Sequence, residues 1–169
     1  MRHFGFTNLG LTFGLLCLLL LPVLAKANYF VEVAQNQGLH PLVLYGIAQV
    51  ESTRPGLGKP WPWTVNFNGR GEYFESKLNA MIAVDRALGS GMRSIDVGIM
   101  QVNLRWHGHR FKSLNEAFDP RRNIEVAASI LSAFSGDPLV LQIARYHCPA
   151  KKCRKRALKY ANKVIDRLN

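Results

Sequence analysis

Acidic residues are scarce in this chain. Eleven Asp and Glu stand against 22 Lys and Arg, giving a formal net charge of +11 over 169 residues. The partners such a surplus favours are anionic: nucleic acid, anionic lipid or an anionic wall polymer. Cysteine is also scarce, at three residues. Cys148 and Cys153 have no second pair beside them, and His107, His109 and His147 are too scattered to complete a zinc site. No metal and no cofactor is therefore expected. Internal repeats and low-complexity segments are missing, and the length suits one domain rather than two. Only one long apolar run exists, Leu9 to Leu21. It is short for a bilayer span of about 20 residues.

That run reads as a leader. Arg2 and His3 precede it, Pro22 breaks it, and Ala25-Lys26-Ala27 has the small-x-small form of a processing site. Cleavage after Ala27 divides the chain into a signal peptide, 1–27, and a domain, 28–169. A retained membrane anchor is the alternative. Cys17 follows Leu16, which is not the small residue a lipoprotein site needs. Export to the periplasm makes Cys148 and Cys153 a disulfide pair. It also leaves lipid and wall polymer as the available anions, so no nucleic acid partner is expected, nor a stable membrane span after cleavage. Much of the charge lies on a basic amphipathic helix at about 153–168, whose alternative reading is a solvated face.

The domain reads as mainly helical. Residues 28–37 and 41–51 suit helices, the second opened by Pro41. Trp63, Val65 and Phe67 alternate with Thr64, Asn66 and Asn68 before Asn68-Gly69, the pattern of a small hairpin and the one sheet expected. Ser76 suits the cap of a helix whose inner side is Leu78, Met81-Ile82 and Ala87-Leu88. Asp119-Pro120 and Asp137-Pro138 suit the starts of two more. Glu51 is the notable carboxylate. It ends a mostly apolar helix, where burial would raise its pKa and suit it to hold a proton near neutrality. An ion pair with Arg54 is the plainer alternative.

Four stretches in order, GIAQVES, SIDVGIMQVN, DPRRNIEVAASIL and ARYH, resemble the motifs of lytic transglycosylases of the soluble, lysozyme-like type. The second is similar to that of small members accompanying conjugation, secretion and type IV pilus machines. The resemblance runs from Tyr29 to about His147. It implies an α+β lysozyme-like fold and a cleft for peptidoglycan glycan strands. It also implies cleavage between N-acetylmuramic acid and N-acetylglucosamine without water, leaving a 1,6-anhydro end. Glu51 matches the single catalytic acid. Gln101 matches the glutamine beside it, and Tyr146 the tyrosine near it. His147 stands where the family commonly has Asn. Ser52, Met100 and Asn103 join them as expected substrate-binding residues. For these three, capping, core packing and turn-fixing are the alternatives. Asp96 is expected to be structural. Trp63 is expected in the core, with Trp61 and Trp106 left open.

A hydrolytic muramidase on the same fold and a non-catalytic scaffold of an envelope machine are the competing readings. If the leader reading holds, N-terminal sequencing of the exported protein should begin at Asn28. Full-length chain in the membrane fraction would favour the anchor.

Overall fold

The computed structural model describes residues 29–168. The expected leader lies outside the described residues. Helix α1 covers 29–36 and turns at Gly38, whose φ of +64° favours glycine. Helix α2 is Pro41–Ser52, with the His40 ring accepting from the Leu42 amide at 3.3 Å. A two-stranded ribbon follows, β1 (Thr53–Arg54) with β2 (Lys59–Pro60). Then come β3 (Thr64–Phe67), β4 (Arg70–Tyr73), α3 (Lys77–Gly89), β5 (Ile95–Val97) and β6 (Val102–Asn103). The chain continues through α4 (Leu104–His107), α5 (Leu114–Ala117), α6 (Pro120–Ser132), α7 (Leu139–His147) and α8 (Arg154–Ile165). The architecture is mainly α with a small sheet, as expected. None of these helices is long and apolar enough to cross a membrane.

The hairpin forms at Asn68-Gly69, where both residues take positive φ, 52° and 94°. It is not the whole sheet, however. β5 and β6 extend it to four antiparallel strands in the order β4-β3-β5-β6. Both added strands come from SIDVGIMQVN, which is too short per strand for alternation to register. Ile95 and Val97 enter the core and Asp96 faces the other side.

Two apolar cores result. The larger joins α1, α2, α6, α7 and α8. The smaller lies between the sheet and α3 and α5, with Val65, Ile95, Val97 and Phe118 fully buried. Helix α3 contacts it through buried Ala80 and Val84, with Met81 and Ala87 of the expected side packed beside them. Leu78, Ile82 and Leu88 of that side are exposed. Ser76 does cap α3, accepting from the Asn79 amide at 3.2 Å. Asp119 caps α6 through the Arg122 amide at 2.9 Å. Asp137 does not cap α7; it pairs with Arg145 at 3.2 Å, and Pro138 takes the capping position.

Helix α8 is part of the larger core. It packs along α7 and against α2, burying Ala157, Tyr160, Ala161 and Val164. Gly46 makes the α2 crossing possible. A Cβ there would stand 2.9 Å from Leu168 Cδ2 and 3.4 Å from the Val164 carbonyl. Cys148 and Cys153 form the expected disulfide, Cα atoms 6.3 Å apart, between α7 and α8.

The loop between β5 and β6 is fixed by one side chain from α6. Asn123 has no exposed surface. Its Oδ1 accepts from the Met100 amide at 2.8 Å, and its Nδ2 donates to the Val97 and Ala117 carbonyls at 3.1 and 2.9 Å. Both amide protons are thus used. Gly98, at φ +84°, leaves the space; a Cβ there would lie 2.5 Å from Asn123 Nδ2. Asn123→Ala strands three buried backbone groups. It should destabilise the fold by about 2–4 kcal/mol, read as a lowered urea midpoint.

Candidate active site

Glu51 occupies the last turn of α2, where the chain leaves the apolar core for the β1–β2 ribbon. The residue is half-buried. Its carboxyl is raised from the usual 4.5 to about 7, chiefly by desolvation. The Tyr160 hydroxyl opposes this by favouring the charged form, and the charge of Asp96 adds a smaller upward push. Arg54 does not pair with Glu51. It binds Glu75 and lies 4.9 Å from the Trp61 ring centroid, so the plainer expectation for Glu51 is replaced.

Two tyrosines stand by this carboxyl. Tyr146, on α7, donates its hydroxyl to the Met100 carbonyl at 2.8 Å. Burial, then the charges of Glu51 and Asp96, raise its pKa well above the phenol range, so it stays protonated. Tyr160, on α8, is 7% exposed. Its hydroxyl falls short of a formed hydrogen bond among the described residues, yet interacts with Glu51. Burial first, and then the charge of Glu51, raise its pKa well above the usual phenol value, so its proton is held too. Tyr160 was not among the expected site residues. It sits within a run of cations, and only its place on the buried side of an amphipathic helix, with Ala157, Ala161 and Val164, marks it out.

The other expected residues divide sharply. Gln101 is half-buried in a left-handed backbone conformation, φ 50°. Its Nε2 donates to the Thr64 and Gly98 carbonyls, both at 3.0 Å, which leaves Oε1 for another partner. Ser52 and Met100 need correction as substrate-binding residues. Neither has exposed surface. The Ser52 hydroxyl approaches the Ile99 carbonyl at 2.7 Å and the Ala48 carbonyl at 3.1 Å, tying α2 to the β5–β6 loop. Met100 is core, and acts through its backbone. Asn103 donates to Asp96 Oδ1 at 2.6 Å and caps α4 by accepting from the Trp106 amide at 3.3 Å.

Asp96 lies in a cross-strand row, directly opposite Asn66 on one side and Asn103 on the other. Burial raises its pKa and the Asn103 bond lowers it. His147 stacks on Tyr160, ring centroids 4.4 Å apart and planes 12° from parallel. It therefore covers the tyrosine and is exposed on its outer side. Trp61 donates to the Phe74 carbonyl at 2.7 Å, and Trp63 packs against the smaller core. Trp106 is 64% exposed beside the Arg105 guanidinium.

A cavity of about 510 Å³ lies elsewhere, between α1 and α6, bordered by Asn36, Arg110, Arg122 and Ser129. None of the residues named for the site borders it. No group of three or more His, Cys, Asp and Glu able to hold a metal occurs among the described residues. Comparisons with protein-family models, with curated proteins and with solved structures found no match.

The arrangement provides a proton donor at neutral pH, with one tyrosine positioned to steady the carboxylate after the proton leaves. Keeping that donor has a thermodynamic cost. The folded pKa of Glu51 lies above its unfolded value, so the folded state binds more protons between about pH 4.5 and about pH 7. Glu51 therefore withdraws stability as pH rises through this window, by up to about 3 kcal/mol. Glu51→Gln should match the parent near the bottom of the window and exceed it above the top. Urea unfolding of both proteins across that range measures the divergence; parallel curves would refute it.

Proposed function

We propose that this protein is a peptidoglycan lytic transglycosylase that acts in the periplasm. The observation that carries the reading is the Glu51 carboxyl, raised to about 7 by burial and faced by two protonated tyrosines. Such a carboxyl can serve as acid and then as base within one turnover. The four motifs, whose residues converge on Glu51 through α2, the β5–β6 loop, α6 and α7, support the same reading.

The reaction needs one carboxylic acid. Protonated Glu51 gives its proton to the glycosidic oxygen as the bond from that oxygen to C1 of the muramic acid breaks. The C6 hydroxyl oxygen of the same sugar bonds to C1, and its proton passes to the Glu51 carboxylate. A 1,6-anhydro ring forms and Glu51 ends as it began. No water enters the balance. The nucleophile belongs to the substrate, so its effective concentration is high. This differs from glycosidases that place two carboxylates about the bond. Tyr160 favours the ionised form between the two proton transfers. Asp96, held by Asn103, tunes the site through its charge. The resemblance to members that accompany conjugation, secretion and pilus machines suggests local wall opening around such an apparatus.

Mass spectrometry of muropeptides released from purified sacculi tests the reaction. Anhydro ends are expected; reducing ends would show a hydrolytic muramidase. Glu51→Gln should remove nearly all turnover with the fold intact, whereas Asp96→Asn should keep it. A folded Asp96→Asn protein as inactive as Glu51→Gln would overturn the single-acid scheme. The rate should also fall about tenfold per pH unit above about 7, as the acid form is depleted.

A further inference from the structure

The cations of the last helix are distributed unevenly around Tyr160. Arg156 and Lys163 lie four residues before it and three after it, so both share its flank of α8. Ala157, Ala161 and Val164, on the other side of Tyr160, are buried in the core. Arg156 and Lys163 are exposed. Neither makes an ion pair, and neither do Lys151, Lys152, Arg154 or Lys159, among the described residues. By contrast Arg54, Arg121, Arg122 and Arg145 all have carboxylate partners.

The flank is continuous with the site. His147 lies flat on the Tyr160 ring, and Tyr160 interacts with Glu51. Partial burial first, and then the charges of Arg156 and Lys163, disfavour protonation of His147. A path thus runs from the carboxyl, across one tyrosine and one imidazole, to two unneutralised cations. The disulfide and the close α2–α8 crossing at Gly46 fix it in place. A solvated face would not need to be held beside a buried acid.

We propose that Arg156 and Lys163 bind a carboxylate of the peptide substituents on the glycan strand, so that strands carrying peptides are preferred over bare ones. This rests on the reading of Glu51 as the acid of a glycan-cleaving site. It adds which form of the glycan the site selects. A strand lying over Glu51 carries its muramic peptide on the lactyl group, near the bond to be cut. The flank offers that peptide two positive charges, and His147, exposed on its outer side, offers it a hydrogen bond.

The test is a binding measurement that does not depend on turnover. Full-chain Glu51→Gln protein is titrated by fluorescence anisotropy with labelled soluble glycan strands. One preparation carries its peptides and the other has been stripped by an amidase. Tighter binding of peptide-bearing strands by about threefold to tenfold is expected at low salt, with the gap shrinking at high salt. Adding Arg156→Gln and Lys163→Gln should close the gap. Adding Arg86→Gln and Arg93→Gln, which remove equal charge from exposed positions elsewhere, should leave it open. Equal affinity for the two strands would overturn the proposal, as would a gap that survives loss of Arg156 and Lys163. Binding of phosphatidylglycerol vesicles that needs these two residues, with no strand preference, would assign the flank to a membrane surface instead. Turnover of both strands by the parent at equal rates, with equal affinities, would refute the selection while sparing the reaction. Absence of turnover on either, with the binding gap intact, would refute the reaction while sparing the flank.

Discussion

Everything near the site depends on taking one carboxyl out of water. An ionised carboxylate in an apolar setting is costly unless it is paired or hydrogen-bonded. Among the described residues no cation pairs with Glu51. Arg54, the nearest in sequence, is drawn off by Glu75 and the Trp61 ring. The carboxyl meets the cost by keeping its proton at pH values where an exposed glutamate would lose it. A single unmet Coulombic need thereby becomes a chemical capacity.

Around that carboxyl the protein uses its backbone more than its side chains. The β5–β6 loop delivers carbonyls: Met100 receives Tyr146, Ile99 receives Ser52, and Gly98 receives Gln101. The loop can do so because Asn123 holds it from beneath and Gly98 makes room. Residues that look in sequence like contacts for a ligand are thus anchors for the loop. Ser52 and Met100 are buried because they tie the acid's helix and the loop together. Gln101 is intermediate, with its amide protons committed and its oxygen spare. The sheet adds a polar row, Asn66, Asp96 and Asn103, on the side away from the smaller core.

Much of this was legible in the chain. Capping by Ser76 and Asp119 and the Asn68-Gly69 turn follow from short-range rules, the disulfide from Cys148 and Cys153 being the pair left beyond the leader, and all are present. The acid was legible because a glutamate at the end of an apolar run is locally anomalous. Strands of two and three residues were not legible, since too few side chains alternate to show a period. The inner side of α3 was read only in part: Met81 and Ala87 do pack on the smaller core, but Leu and Ile outweigh Ala and Val in any apolar count, and the fully buried pair is Ala80 and Val84. Tyr160 was hidden by composition. Cations surround it in sequence, and only the packing of α8 on α2 and α7 turns it toward Glu51.

The small gap at Gly46 gives that packing a further meaning. Protein synthesis runs from the N-terminus, so α2 and its glutamate exist well before α8 does. Until α8 lies down across Gly46, the carboxyl lacks Tyr160 and the apolar cover that α8 adds. The environment of Glu51 is therefore completed by a helix more than a hundred residues further along the chain, and it forms only when α8 packs on α2.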